Sequence, residues 1–157
     1  MGNSAEYWFA DTAKSKRFNV TEASKEENIN DHIDLWIESE GKTYSVDVKA
    51  AKRISRADDK LDYTKIWVEV QSVRANNRGW LFDGKADFIA FEQLSCFLVI
   101  KREKLIDIVK EKTEKVFVSS AKDALHKLYT RPGRTDCLTI LEVNDILPHC
   151  ATWYKEV

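Results

Sequence analysis

Three residues are spaced to hold a cation and act beside it: Asp34, Asp47 and Lys49. Asp47-Val48-Lys49 puts a carboxylate and an ammonium two residues apart, on the same side of an extended strand. Residues 33–38 and 43–49 each alternate apolar and polar side chains, and Glu40-Gly41 between them offers a position that tolerates positive φ. The pattern predicts a β-hairpin. A symmetric turn centred on Glu40-Gly41 pairs residues whose numbers add to a constant, and that register sets Asp34 opposite Asp47. Opposed Cβ atoms lie ~4.5–5.5 Å apart, where like charges destabilise a sheet. At ~4 Å and an effective dielectric of ~20 the repulsion is about 4 kcal/mol, against a total stability of ~5–15 kcal/mol. A divalent cation between the carboxylates offsets it, and Lys49 adds positive charge beside them. Ile33, Leu35, Ile37, Val46 and Val48 alternate to the other face as candidate core. The hairpin therefore reads as a metal site on a rigid support.

The arrangement resembles the PD-(D/E)xK nuclease superfamily, whose signature is an acidic residue, a turn, then Asp or Glu, any residue, and Lys. Asp34 matches the first acid and Asp47-Val48-Lys49 the triplet; Ile33 stands where the superfamily has proline, a position that shapes backbone and carries no chemical group. The resemblance implies an α/β fold with a central mixed β-sheet flanked by helices, in the restriction-endonuclease-like order α-β-β-β-α-β. It implies a metal-dependent endonuclease that hydrolyses DNA phosphodiester bonds. Asp34, Asp47 and the Val48 backbone carbonyl would be ligands of Mg²⁺, or of Mn²⁺ in its place, and Lys49 would orient the nucleophile. Glu6, on an upstream helix, would order a water or a second ion as a further catalytic residue. Holliday junction resolvases of the superfamily share this size and layout, so branched DNA is among the expected substrates. A chain this small is expected to cut both strands as a homodimer.

The 157 residues, 43% of them hydrophobic, suffice for one domain with a proper core, so residues 1–157 are expected to form a single domain. With 25 basic and 26 acidic residues the net charge is −1, which by itself predicts no polyanion partner. The charge is uneven, however: Lys49, Lys52, Arg53 and Arg56 crowd after the acidic pair, Arg74 and Arg78 follow, and Arg131 and Arg134 flank a Pro-Gly loop. Lys52, Arg53, Arg131 and Arg134 are the candidate DNA-binding residues, the arginines through bidentate phosphate contacts; the bland account of such clusters is a solvated surface. No apolar run approaches ~18 residues, and the Met-Gly-Asn-Ser-Ala-Glu start has no basic and apolar leader, so no membrane partner is expected. Cys96, Cys137 and Cys150 are odd in number and without close pairing, as in a cytoplasmic protein with reduced thiols.

These residues need elements to position them. A first helix is predicted from Asn3 or Ser4 to about Lys16. Glu6 is either its capping-box carboxylate or, on a stripe with Ala10 and Ala13, aimed toward the hairpin. Residues 21–30 read as a polar connection and 50–63 as a charged loop or short helix over the site. Residues 65–73 read as the next strand. If its polar face joins that of Asp47 and Lys49, Glu69 and Gln71 border the site; otherwise they lie on an ordinary half-exposed strand. Residues 86–91 and 97–100 read as buried strands, 101–115 as an amphipathic helix, 116–118 as a brief strand, 121–129 as a helix and 138–143 as a strand. One rival function is a non-catalytic nucleic-acid or protein-binding module that keeps the fold. The other rival is coincidence, with Asp34 and Asp47 pointing to solvent.

Overall fold

In the computed structural model, which describes residues 4–54, 57–71, 79–131, 133–134 and 136–155, a helix opens the chain and the predicted hairpin follows it. Helix α1 (Ser4–Ser15) buries Ala5, Glu6, Phe9, Ala10, Thr12 and Ala13 along one side, the spacing of a helix laid on a sheet. After it come strand β1 (Asn19–Glu22), helix α2 (Lys25–Asp31), and strands β2 (Leu35–Ser39) and β3 (Lys42–Lys49). The hairpin turn has Glu40 at φ 54° and Gly41 at φ 77°. Two central residues at positive φ are what a two-residue turn needs to match the twist of its strands. The register is the predicted one, Leu35 with Val46 through Ser39 with Lys42.

Residues 4–50, 84–102 and 150–155 form one unit. Its sheet also contains β5 (Phe88–Glu92), β6 (Cys96–Lys101) and β10 (Ala151–Tyr154), in the order β1-β2-β3-β5-β6-β10. Only β3 and β5 run parallel, so the sheet is mixed. Asp87 stitches that parallel pair at its start: its Oδ2 accepts from Ser45 N at 2.8 Å and Ser45 Oγ at 3.1 Å, and its own N–H donates to Ser45. It is a cap residue, as a loop aspartate before a strand suggests. The core of this unit sets Phe9, Ala10 and Ala13 of α1 against Leu35, Ile37, Val46, Val48, Ala90 and Phe97.

Residues 51–83 and 103–149 form the second unit. Its sheet joins β4 (Lys65–Gln71), β7 (Phe117–Val118), β8 (Leu128–Thr130) and β9 (Cys137–Glu142), in the order β4-β9-β8-β7. Helix α3 (Gly79–Phe82) and helix α4 (Arg102–Lys112) lie in the intervening sequence, and α5 (Val143–Ile146) follows β9. Gly79 sits at φ 78° with the Glu69 carbonyl oxygen 2.7 Å from where a Cβ would be, so no other residue fits there. His126 Nε2 meets Asp145 Oδ2 at 2.6 Å, tying the approach to β8 onto α5.

Two expectations about elements are corrected. Residues 21–30 are not a plain connection but contain the end of β1 and all of α2. Residues 121–129 are not one helix: a 3-10 turn at Ala121–Asp123 is followed by β8, because 128–130 pairs with both β7 and β9. Arg56, Arg74 and Arg78 lie outside the described residues, as does the Asn3 cap.

Phe9 is fully buried, edge-on to Phe97 with ring centroids 5.3 Å apart and stacked on Trp153 at 5.6 Å. Phe9→Ala is expected to cost about 3–5 kcal/mol, read as a lowered urea midpoint.

Candidate metal and phosphate site

β3 carries Asp47 and Lys49 on the face opposite Val46 and Val48, and the latter pack under α1. Asp47 is 3% exposed. Its in-register neighbour on β5 is the fully buried Ile89, so its surroundings are apolar on that side. Lys49 Nζ lies 3.2 Å from Asp47 Oδ1, with the lysine side chain 23% exposed. The lysine side chain is thus partly exposed and the carboxylate is not. Asp47 Oδ2 is buried with no hydrogen-bond partner among the described residues. A buried unpaired carboxylate oxygen is costly and calls for an explanation.

Asp34 approaches from the other strand by an unexpected route. Regular pairing stops at Leu35, and the Asp34 N–H donates to Val46 O at 2.9 Å, one residue out of the hairpin register. The next ladder position is filled by a side chain: Asp34 Oδ2 accepts from Val48 N at 2.7 Å, and Oδ1 accepts from Asn28 Nδ2 at 2.7 Å. Asp34 and Asp47 are therefore not the opposed ladder pair the turn predicts, although the Asp34 charge still acts on Asp47. Burial holds the Asp47 carboxyl up at about 7; Lys49 opposes that rise and Asp34 adds to it. Two ionised carboxylates are both acceptors and cannot bond each other. The Lys49 ammonium on Asp47 Oδ1 eases their repulsion, and a proton on one or a cation between them would ease it further.

The donor set fits a hard cation. Asp34 keeps unused lone pairs on both oxygens, Asp47 Oδ2 has no partner, and Val48 sends its N–H toward Asp34. In an extended strand the N–H and C=O of one residue leave on the same side, so the Val48 carbonyl faces that way too. Among the described residues no three His, Cys, Asp or Glu side chains converge as a metal-holding group, so Glu6 does not join Asp34 and Asp47 in one. Glu6 is 8% exposed and belongs to the helix covering the opposite face of the hairpin.

The remaining candidates are spread out. β4 pairs with β9 in the second sheet and not with β3, so Glu69 and Gln71 do not extend the hairpin's polar face; Glu69 pairs with Leu138 and Gln71 with Cys137. Lys52 and Arg53 are exposed, and Arg53 Nη1 donates to Asp58 O at 3.4 Å. Arg134 is exposed. Arg131 is engaged: its Nη2 donates to Asp136 Oδ2, in a carboxylate with no exposure at all. The two sit opposite each other just beyond the Thr130–Cys137 pair. Sequence reading missed Asn28. Ser24 and Glu27, three residues apart, form a reciprocal capping box that starts α2 and puts Asn28 within it, and that signal was legible.

Two outcomes follow. A group whose folded pKa is raised adds stability below its unfolded pKa, and that stability is lost as pH rises through the folded value. In chelator the wild type should therefore lose up to about 4 kcal/mol between pH ~4 and ~7 from Asp47 alone. Asp47→Asn should flatten that part of the profile in urea melts at stepped pH. Arg131→Ala strands the buried Asp136 charge and should cost about 3–5 kcal/mol, whereas Arg134→Ala should leave the urea midpoint unchanged.

No protein-family model matches this chain, and neither a curated protein nor a solved structure does.

Proposed function

We propose that the chain is a metal-dependent endonuclease that hydrolyses phosphodiester bonds in DNA. The observation that carries this reading is Asp47 Oδ2, an unpartnered buried carboxylate oxygen, in a group whose other oxygen meets the Lys49 ammonium and whose neighbour is Asp34. Asp34, Asp47 and the Val48 carbonyl would hold Mg²⁺ or Mn²⁺. Bound there, the cation supplies Lewis-acid polarisation of a phosphate and lowers the pKa of a water. Lys49, whose side chain is partly exposed, draws the phosphate in and offsets negative charge that grows on it in the transition state. Asp47, held between Lys49 and Asp34, keeps the ammonium in place.

The restriction-endonuclease-like core belongs to the same proposal. It is supported by a helix, α1, laid on β2 and β3 and by the parallel strand β5 beside β3. The crossover between those parallel strands then carries residues 51–83 of the second unit. Lys52, Arg53 and Arg134 are the phosphate contacts of this reading; Arg131 is assigned to Asp136 instead, and Glu6 takes no part. Linear and branched DNA both fit a single-strand cut, and two copies are required to cut both strands in one encounter. Among the described residues no helix is long and apolar enough to cross a membrane.

Plasmid and four-way-junction DNA incubated with Mg²⁺ should be nicked, and chelator should abolish it. Asp47→Ala and Lys49→Ala should each lower the rate by roughly 10²–10³. Cleavage that survives either substitution overturns the mechanism. DNA retention in a gel-shift without cleavage on any substrate favours the binding module.

A further inference from the structure

We propose that Asn28 is a positioning residue that fixes the plane of the Asp34 carboxylate for cation capture, an inference that rests on the metal-binding reading above. The terminal torsion of an aspartate is broad and roughly two-fold, so one hydrogen bond leaves the carboxylate plane free to turn. Asp34 receives a donor on each oxygen: Val48 N on Oδ2 and Asn28 Nδ2 on Oδ1, both at 2.7 Å. Two donors on two oxygens lock the plane. They also leave the remaining lone pairs aimed away from both donors.

Asn28 is not what holds α2 in place. The helix is started by Ser24 and Glu27, and Glu27 Oε2 accepts from Trp36 Nε1 of β2 at 3.1 Å. Its other end turns through His32 at φ 54°, and the Asp31 carbonyl accepts from Lys85 N at 2.8 Å. Asn28 Nδ2 also lies 3.3 Å from Ile33 O, a longer contact to the turn. The helix thus has independent anchors on β2 and on residue 85, and the Asn28 amide is left to serve Asp34. Partners of this kind, one step removed from a metal, change its affinity by roughly 10–100-fold when removed.

The test is a Mn²⁺ titration of the full chain followed by the electron paramagnetic resonance signal of free Mn²⁺, with thermal melts alongside. Asn28→Leu and Asn28→Ala both remove the donor at different side-chain volumes, so one that folds suffices. Each should bind Mn²⁺ roughly 10–100-fold more weakly while keeping nearly the wild-type melt, and Asn28→Gln, which keeps an amide donor, should recover most of the loss. Wild-type affinity in the donorless variants overturns the assignment of Asn28, as does a Gln variant as weak as the Leu variant. Asp47→Ala separates the two readings: if the wild type shows no binding that Asp47→Ala removes, the metal site itself fails and this inference falls with it.

Discussion

The hydrogen bond from Val48 N to Asp34 Oδ2 is the contact on which the arrangement of the hairpin end depends. A backbone N–H at the end of a ladder must find an acceptor, and here a carboxylate takes the place of the missing carbonyl. That substitution stops β2 at Leu35 and draws Asp34 in beside Asp47. Without it the Asp34 side chain would have no reason to approach another acid. The local repulsion is accepted because the backbone donor is satisfied and because Lys49 stands on Asp47 Oδ1.

The same logic separates this place from another charged contact in the chain. Arg131 and Asp136 are also opposed across an antiparallel turn, but their charges are opposite and one guanidinium meets one carboxylate. That contact uses Arg131 Nη2 and Asp136 Oδ2, while Arg131 Nε and Asp136 Oδ1 stay buried without a hydrogen-bond partner among the described residues. At the hairpin, Lys49 meets Asp47 while Asp34 takes its donors from Asn28 and Val48, and the two acids leave an excess of acceptor atoms.

Much of the hairpin was legible. Its period-two alternation, the Glu40-Gly41 turn and the burial of Leu35, Ile37, Val46 and Val48 all follow from residues close together in sequence. Strands β5, β6 and β9 and helix α4 were legible for the same reason. Helix α2 was not, because none of its seven residues is buried and hydrophobic periodicity had nothing to register; only its capping box spoke for it. The stripe of Ala124, Leu125, Leu128 and Tyr129 resembled a helix face, yet β8 is dictated by its pairing with β7 and β9 on either side, which a side-chain stripe does not report. The sheet to which β4 belongs was beyond local pattern, since alternation tells that a strand has two faces and not which strand it will pair with. For the candidate site, the placing of Asp47 and Lys49 on one face of β3 was legible, while Asn28 and the separation of Glu69 from the hairpin's sheet were not.

The unit holding the hairpin is spliced from three stretches of chain, with β3 and β5 aligned side by side although residues 50–87 lie between them. Closing so long a span costs chain entropy before any ladder bond is gained, so this union comes late relative to the hairpin itself. β10, at the margin of that sheet, is synthesised after every residue of the other unit. On the ribosome the hairpin can form early, but its sheet must wait for the final stretch to emerge, and until then β6 presents a bare apolar margin that chaperones or like chains can seize.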